Sequence, residues 1–275
     1  MAVRGLDLLS ERFTGFRNAF VLIGGAACDL WFSDQNLSFR TTRDLDIVLI
    51  LDRLTPGFVE RFRDFIQEGA YSVKQRNEDC PPVLYRFAKP GKEEYPYMIE
   101  LFCRAAPGLD LDPGQQIIPV RMEGARSLSA ILLHESYYKF LLDHCRESRG
   151  IFAADAAALI PLKARAWLDL TERKAAGEHV KEDDIKKHRN DVFRLAITLP
   201  GEPDIPLPNE LAHDVESFLS SFPPENEEWE AINQAIRPIA RGPVTSKTLL
   251  ETIRIYFQLA DKHPEGLKEE SAGSP

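Results

Sequence analysis

The first half of the chain alternates between apolar residues at helical spacing and short, unbroken apolar runs. The helical spacing over 5–19 and 26–32 predicts two helices, and the run Phe20–Ile23 between them predicts a buried strand. Residues 44–51 alternate and then become wholly apolar, which indicates a second buried strand. A helix is predicted over 57–68, after a proline at its start. Further short strands are predicted at 71–76, 83–88, 97–103 and 116–122.

The second half of the chain has a different pattern. From residue 127 to about residue 262 every segment has helical spacing, including a long helix predicted over 128–145. The proline-rich segment 200–208 predicts a linker inside this half, and the polar residues 263–275 are expected to be disordered. The sequence therefore predicts an α+β protein, with a mixed sheet and flanking helices in residues 1–125 and an all-helical domain in residues 126–262.

Composition narrows the class of protein. The 275 residues are 44% hydrophobic and 28% charged, as in an ordinary globular protein, and the net charge of −9 argues against coating nucleic acid by global charge. Residues 202–230 contain nine carboxylates and no Lys or Arg, so the last third is a poor nucleic-acid contact. Because no apolar run approaches about 20 residues and the four cysteines lie far apart, we expect a soluble, cytoplasmic protein with reduced thiols and no membrane partner.

Two aspartates at the start of the second buried strand carry the clearest chemistry. Residues i and i+2 of a strand project from the same face, so Asp44 and Asp46 are expected side by side. Two adjacent carboxylates repel each other unless a cation lies between them. Hard oxygen ligands with open positions suit Mg²⁺ shared with substrate phosphates.

Two further features extend this pattern. Gly24 and Gly25 lie at a strand-to-helix turn, where backbone N–H groups approach a phosphate without a side chain between them. Glu100 is a charged residue inside the apolar strand predicted over 97–103, and it would complete a two-metal site. The alternative is that the strand lies at an edge and exposes Glu100 to water.

The order of these features resembles the DNA polymerase β-like nucleotidyltransferase superfamily. The resemblance rests on Gly24-Gly25, on Arg40-x-Thr42-x-Asp44-x-Asp46 and on a carboxylate in a later strand. Within that superfamily, the arginine and threonine ahead of the aspartate pair resemble the AbiEii branch, the toxin component of toxin–antitoxin systems. That branch adds a lysine in a later helical region and a helix with a basic residue and an aspartate one turn apart.

Lys163 resembles the first of these additional elements, and Lys187 and Asp191 resemble the second. The branch often has Lys-Asp before the spaced aspartate, whereas this chain has Lys187-His188. The alternative is that these charged residues simply lie on solvated helix faces. The resemblance covers residues 15–200 and leaves 201–275 without a counterpart.

The resemblance implies an Mg²⁺- or Mn²⁺-dependent enzyme that transfers a nucleoside monophosphate from an NTP to an acceptor hydroxyl. Asp44 and Asp46 would bind the metal across the phosphates, and Glu100 would bind a second metal and help to deprotonate the acceptor. The remaining matched residues would bind the nucleotide or neutralise its phosphates, with Lys163 among the catalytic residues: Gly24, Gly25, Arg40, Thr42, Lys163, Lys187 and Asp191. The acceptor would be a tRNA, another RNA or a protein, and a cognate antitoxin protein would be a partner.

Two other functions remain open at this stage. Antibiotic-modifying nucleotidyltransferases join a similar domain to a helical one, and the net charge of −9 suits a cationic aminoglycoside acceptor. The fold could also serve as a binding or regulatory module without enzymatic activity, with the acidic residues 202–230 as an interaction surface.

Overall fold

A computed structural model describes residues 3–73, 85–109, 115–120, 128–200 and 205–259. The predicted tail 263–275 and the turn-rich residues 77–82, which join two of the predicted strands, lie outside these ranges, as do residues 201–204 of the predicted linker. Within them the chain forms nine strands: β1 Phe20–Ile23, β2 Asp44–Leu49, β3 Ser72–Val73, β4 Arg86–Ala88, β5 Met98–Cys103, β6 Ile117–Val120, β7 Leu128–Leu132, β8 Cys145–Ser148 and β9 Ile151–Ala154.

The strands form one mixed sheet in the order β3-β4-β5-β2-β1-β9-β8, with β7 paired to β5 and β6 paired to β7. The central pair β1 and β2 is antiparallel, whereas β2 and β5 are parallel. Every residue of β1 is buried, which explains why its sequence is an unbroken apolar run. The predicted α+β class with a mixed sheet is therefore confirmed.

The described residues form nine α-helices and two short 3₁₀-helices, the latter at Thr14–Ala19 and Leu51–Arg53. The α-helices are α1 Leu6–Arg12, α2 Gly24–Ser33, α3 Pro56–Glu68, α4 Glu135–Asp143, α5 Ala156–Ala175, α6 Glu182–Ile197, α7 Asn209–Ser220, α8 Trp229–Ile236 and α9 Ser246–Tyr256. Local sequence signals set some of these ends. The side chain of Thr55 accepts from the Phe58 N–H ahead of α3, and Asp155 accepts from the Ala158 N–H ahead of α5.

An aromatic cluster fills the layer between α1, α3 and the sheet. Phe13 contacts Phe20, Phe58 and Phe65 with ring centroids 5.6 to 5.9 Å apart. Phe62 packs against Phe87 of β4 at 5.6 Å. These rings are almost completely buried, so they form a packed aromatic core in this layer.

Helix α2 connects the sheet to the later helices. It packs on β1 and β2 and against α5, and the indole N–H of Trp31 donates to the hydroxyl of Thr198 at 2.8 Å. Beyond α5 a second aromatic cluster is centred on Phe193, whose ring lies 5.6 Å from Phe218 and 4.9 Å from Trp229. Helix α2 therefore lies on β1 and β2, α5 packs against α2, and α6 packs against α5.

The prediction that residues 127–155 are helical is wrong. Three strands lie there, β7, β8 and β9, and the predicted long helix over 128–145 is reduced to α4. Strand β9 pairs in parallel with β1, at the centre of the sheet. Tertiary pairing overrides the local helical pattern here, because short apolar runs are compatible with a helix or a strand. The domain boundary at residues 125 and 126 stays a prediction.

Part of the acidic segment is neutralised by contacts with the helices beneath it. Asp214 of α7 accepts from the hydroxyl of Tyr137 and pairs with Arg165, and Glu228 pairs with the nearly buried Arg189. In the part of the chain that the structure describes, no helix is both long and apolar enough to cross a lipid bilayer.

Candidate active site

The turn between β1 and α2 is shaped by two glycines that approach other side chains closely. Gly24 has a φ of 69°, and a Cβ atom at this position would lie 1.8 Å from Oδ2 of Asp46. A Cβ atom on Gly25 would lie 2.5 Å from Oγ1 of Thr42. The left-handed φ and the close approach of Asp46 together favour glycine at position 24, and the two distances place this turn against the strand that carries the aspartates.

The sheet register brings the three predicted carboxylates together. Asp44 and Asp46 share one face of β2, with Ile23 of β1 opposite Asp46 on one side and Glu100 of β5 opposite it on the other. All three carboxylate residues are partly buried. A cross-strand neighbour lies close enough to interact electrostatically, so the cluster concentrates negative charge at the start of β2.

The charges in this cluster affect each other's ionisation. Burial, together with the neighbouring Glu100 and Asp44 carboxylates, raises the pKa of Asp46 to about 6, against the opposing effect of Lys163. Burial also raises the pKa of Asp44, whereas the positive charge of Lys187 acts in the opposite direction. Burial is thus the main cause of both raised pKa values, since it disfavours the ionised carboxylates.

Asp44 has a further unusual feature. Its Oδ1 atom is buried and has no hydrogen-bond partner among the described residues. A buried carboxylate oxygen without a partner is costly unless a ligand or solvent satisfies it. The Asp44 carboxylate is therefore a candidate ligand for a bound cation.

Glu100 differs from the two aspartates because it has a partner. Both Nε and Nη2 of Arg86, the residue opposite Glu100 on β4, contact its Oε1 atom at 2.5 Å. In the described ranges, no group of three or more His, Cys, Asp or Glu side chains is arranged to hold a metal ion. The carboxylates are thus adjacent, and the three-ligand metal site stays a prediction.

A second charged cluster lies behind the first and is centred on Asp191. Its side chain is completely buried and contacts three cations. Arg40 binds it through Nε at 2.9 Å and Nη2 at 2.6 Å, the Nζ atom of Lys163 lies 3.2 Å away, and Arg194 contacts it at 3.2 Å. Burial would raise the pKa of Asp191, but Lys163 and Arg40 outweigh that effect and the pKa is lowered.

These contacts bear on the roles predicted for the residues around Asp191. With no exposed side-chain surface, Asp191 is enclosed by protein groups and reaches the candidate site through Arg40 and Lys163. Lys163 is itself nearly buried, and its charge lowers the pKa of Asp46. Asp191 and Lys163 therefore connect the site with α5 and α6.

Lys187 is the third predicted basic residue, and it differs from Arg40 and Lys163 in having no contact with Asp191. It is partly exposed and exerts the strongest charge effect on Asp44, and it also lowers the pKa of Asp46. No carboxylate oxygen in the described part of the chain forms an ion pair with its ammonium group within 4.0 Å. Of the three predicted basic residues, Lys187 is therefore the one that is not paired with Asp191.

Sequence reasoning missed four residues of this region. Arg194 lies three residues beyond Asp191 on α6, and helical spacing could have revealed it. Arg86 could not have been found, because its contact depends on the β4–β5 register. Cys28 and His188 lie deeper: burial raises the Cys28 pKa to about 12 and, with the Lys163 charge, lowers the His188 pKa to about 3.

Comparison with known proteins adds no relative. No protein-family model matches the chain, and no curated protein matches it. The functional conclusion therefore depends on the geometry of the site and on the sequence pattern.

Proposed function

We propose that this protein is a nucleotidyltransferase that uses a divalent cation to transfer a nucleoside monophosphate from an NTP to an acceptor hydroxyl. The observation that carries the proposal is the contact between the β1–α2 turn and the aspartate strand, where Gly24 leaves no room for a side chain beside Asp46. A glycine turn at a helix N-terminus suits phosphates, and adjacent carboxylates suit the cation that accompanies them.

The residues at this position fit a hard divalent cation such as Mg²⁺ or Mn²⁺. Asp44 and Asp46 offer oxygen ligands from one strand face, and one Asp44 oxygen is buried without a partner. Burial raises the pKa of both carboxyls, and the neighbouring Glu100 adds to this effect at Asp46, so a bound cation would favour their ionised forms. A bound cation would supply charge neutralisation across the phosphates of the NTP.

The other residues supply binding and orientation. The N–H groups at the start of α2 would bind the triphosphate, and the accessible Lys187 would neutralise its negative charge. Asp191 holds Arg40 and Lys163 in fixed positions beside Asp46 and Gly25. Such a preorganised arrangement of charges stabilises a transition state without rearrangement during the reaction.

The proposed branch is the AbiEii-like toxins of the DNA polymerase β-like superfamily, with tRNA, another RNA or a protein as the acceptor. The ordered residues Arg40, Thr42, Asp44 and Asp46 support it, together with the contact of Lys163 and Arg40 with Asp191. A cognate antitoxin protein would be a partner.

A transfer assay tests the proposal. Purified full-length protein is incubated with Mg²⁺ or Mn²⁺, each α-labelled NTP in turn, and total RNA or cell protein. We expect label on one acceptor class with the wild type and at least a 100-fold lower yield with Asp46→Asn, since a ligand of the cation is lost. Asp64→Asn, an exposed carboxylate on α3, is the matched control and should retain full activity.

Each alternative predicts a distinct result. Equal labelling by wild type and Asp46→Asn would refute the proposed site. Labelling of an aminoglycoside, with protection of a sensitive host, would identify the small-molecule enzyme instead. The binding module predicts no transfer and no NTP binding by calorimetry, but loss of a protein partner when residues 201–275 are deleted.

A further inference from the structure

Three charged side chains form a row across neighbouring strands of the sheet. Arg86 of β4 is opposite Glu100 of β5, and Glu100 is opposite Asp46 of β2. Paired residues of adjacent strands project from the same face, so the row runs from a guanidinium through one carboxylate to another. The positive end of this row was not apparent from the sequence.

The ion pair between Arg86 and Glu100 has short contacts, although the pair is partly accessible to solvent. The Glu100 side chain is 13% exposed and the Arg86 side chain 38% exposed, so the carboxylate is the more enclosed partner. The Oε1 atom of Glu100 contacts two of the three guanidinium nitrogens, Nε and Nη2. A guanidinium stays protonated at every accessible pH and has a planar donor geometry that suits a carboxylate.

From this row we infer that Arg86 binds Glu100 and thereby keeps it from acting as a cation ligand. The guanidinium takes the place of a second metal ion, so that Asp44 and Asp46 alone hold one divalent cation. Arg86 is then a positioning residue for the nucleotidyltransferase site. The inference rests on the proposed function, and it replaces the two-metal arrangement that the sequence pattern predicts for Glu100.

The balance of charges supports this arrangement. The Arg86 guanidinium offsets the negative charge of Glu100, which leaves Asp44 and Asp46 as the carboxylates beside which a divalent cation would be favourable. A cation that took Oε1 of Glu100 as a ligand would have to displace the Arg86 guanidinium from it, and a cation at the other oxygen would share a carboxylate whose charge Arg86 already offsets. The first cation meets no such obstacle, because an oxygen of Asp44 has no partner among the described residues.

The test measures Mn²⁺ binding to the full chain without nucleotide, from the electron paramagnetic resonance signal of free Mn²⁺. Six proteins are compared: wild type, Arg86→Gln, Arg86→Lys, the double variant Arg86→Gln with Glu100→Gln, Asp46→Asn and the control Arg61→Gln. The double variant has the same net charge as the wild type, so it reports on Glu100 as a ligand without a change in overall charge. Arg61→Gln, an exposed arginine of α3, controls for the loss of one positive charge elsewhere.

We expect the double variant to bind Mn²⁺ within about threefold of the wild type, since Glu100 is not a ligand when Arg86 holds it. Arg86→Gln releases Glu100 and should bind Mn²⁺ at least about tenfold more tightly, or bind a second ion. Arg61→Gln should match the wild type. Arg86→Lys keeps the charge but not the planar donor pair, and it should lie between the wild type and Arg86→Gln.

Two results would overturn the inference. One is a double variant that binds Mn²⁺ about tenfold more weakly than the wild type, which would make Glu100 a ligand. The other is Arg86→Gln binding as the wild type does. Melting curves followed by circular dichroism establish that each variant is folded. A failure of the proposed function gives a different result. In that case Asp46→Asn binds Mn²⁺ as well as the wild type does, and the transfer assay detects no product.

Discussion

The Nζ atom of Lys163 lies 3.2 Å from Oδ2 of Asp191, and both side chains are almost completely buried. The two residues belong to α5, which packs against α2, and to α6, which packs against α5. Arg40, from the segment that precedes β2, binds the same carboxylate. One buried negative charge therefore ties the helical part of the chain to the segment that carries Thr42 and Asp44.

Removal of this buried charge should destabilise the protein strongly. Asp191→Asn leaves Lys163, Arg40 and Arg194 without their shared partner, and a broken buried pair costs about 3–5 kcal/mol. We expect that loss in the free energy of unfolding, measured by urea denaturation followed by circular dichroism. Asp64→Asn removes an exposed carboxylate and should change stability by less than about 0.5 kcal/mol. A loss below about 1 kcal/mol for Asp191→Asn would show that the cluster does not depend on its central charge.

Gly24 allows a test that separates backbone strain from the geometry of the site. Gly24→Ala places a Cβ atom at a φ of 69° and at 1.8 Å from Oδ2 of Asp46, so that carboxylate must move. Gly177→Ala has a similar φ, 86°, but no atom within 4 Å of the new Cβ in the described structure. Each variant should lose about 1–2 kcal/mol of stability from the left-handed backbone conformation.

The two alanine variants should differ in cation binding. Mn²⁺ affinity should fall at least about tenfold in Gly24→Ala, because the Asp46 carboxylate leaves its position, and stay unchanged in Gly177→Ala. Calorimetric titration with Mn²⁺ measures both affinities, and urea denaturation measures both stabilities. Equal Mn²⁺ affinity in the two variants would mean that the turn does not shape the cation site.

The central strands and the aspartate pair could be predicted from the sequence because their signals are local. Phe20–Ile23 is an unbroken apolar run whose four residues are all buried, and the alternation of Asp44 and Asp46 follows from the period of a strand. The glycine pair likewise marks a turn through its own backbone requirements. These features needed no knowledge of distant contacts.

Other features depend on pairings between distant parts of the chain. Strand β9 is a short apolar segment that becomes a strand because it pairs with β1, more than 120 residues earlier. The partner of Glu100 depends on the register of β4, and the burial of Asp191 depends on how α5 and α6 pack around Arg40. Their spacing in the sequence does not encode any of these contacts.

The pKa of Asp46 makes cation binding dependent on pH in a range where ordinary aspartates do not titrate. Burial and the nearby Glu100 raise this pKa from 3.8 to about 6. A raised carboxyl pKa means that the folded, cation-free protein binds the proton more tightly than the unfolded chain. Its stability should therefore fall as pH rises from about 4 through about 6. A bound cation should offset that loss, since it favours the ionised carboxylate.

Between pH 5 and pH 7 the ionised fraction of Asp46 rises roughly tenfold, and Mn²⁺ affinity should rise by about the same factor. Titrations at pH 5, 6 and 7 measure this change, and melting temperatures at each pH give the accompanying stabilisation by Mn²⁺. In Asp46→Asn the tenfold rise should disappear, whereas Asp64→Asn should retain it. An Mn²⁺ affinity that is constant from pH 5 to pH 7 in the wild type would contradict the raised pKa. In that case the Asp46 carboxylate would already be stabilised in its ionised form by the charges of Lys163 and Lys187.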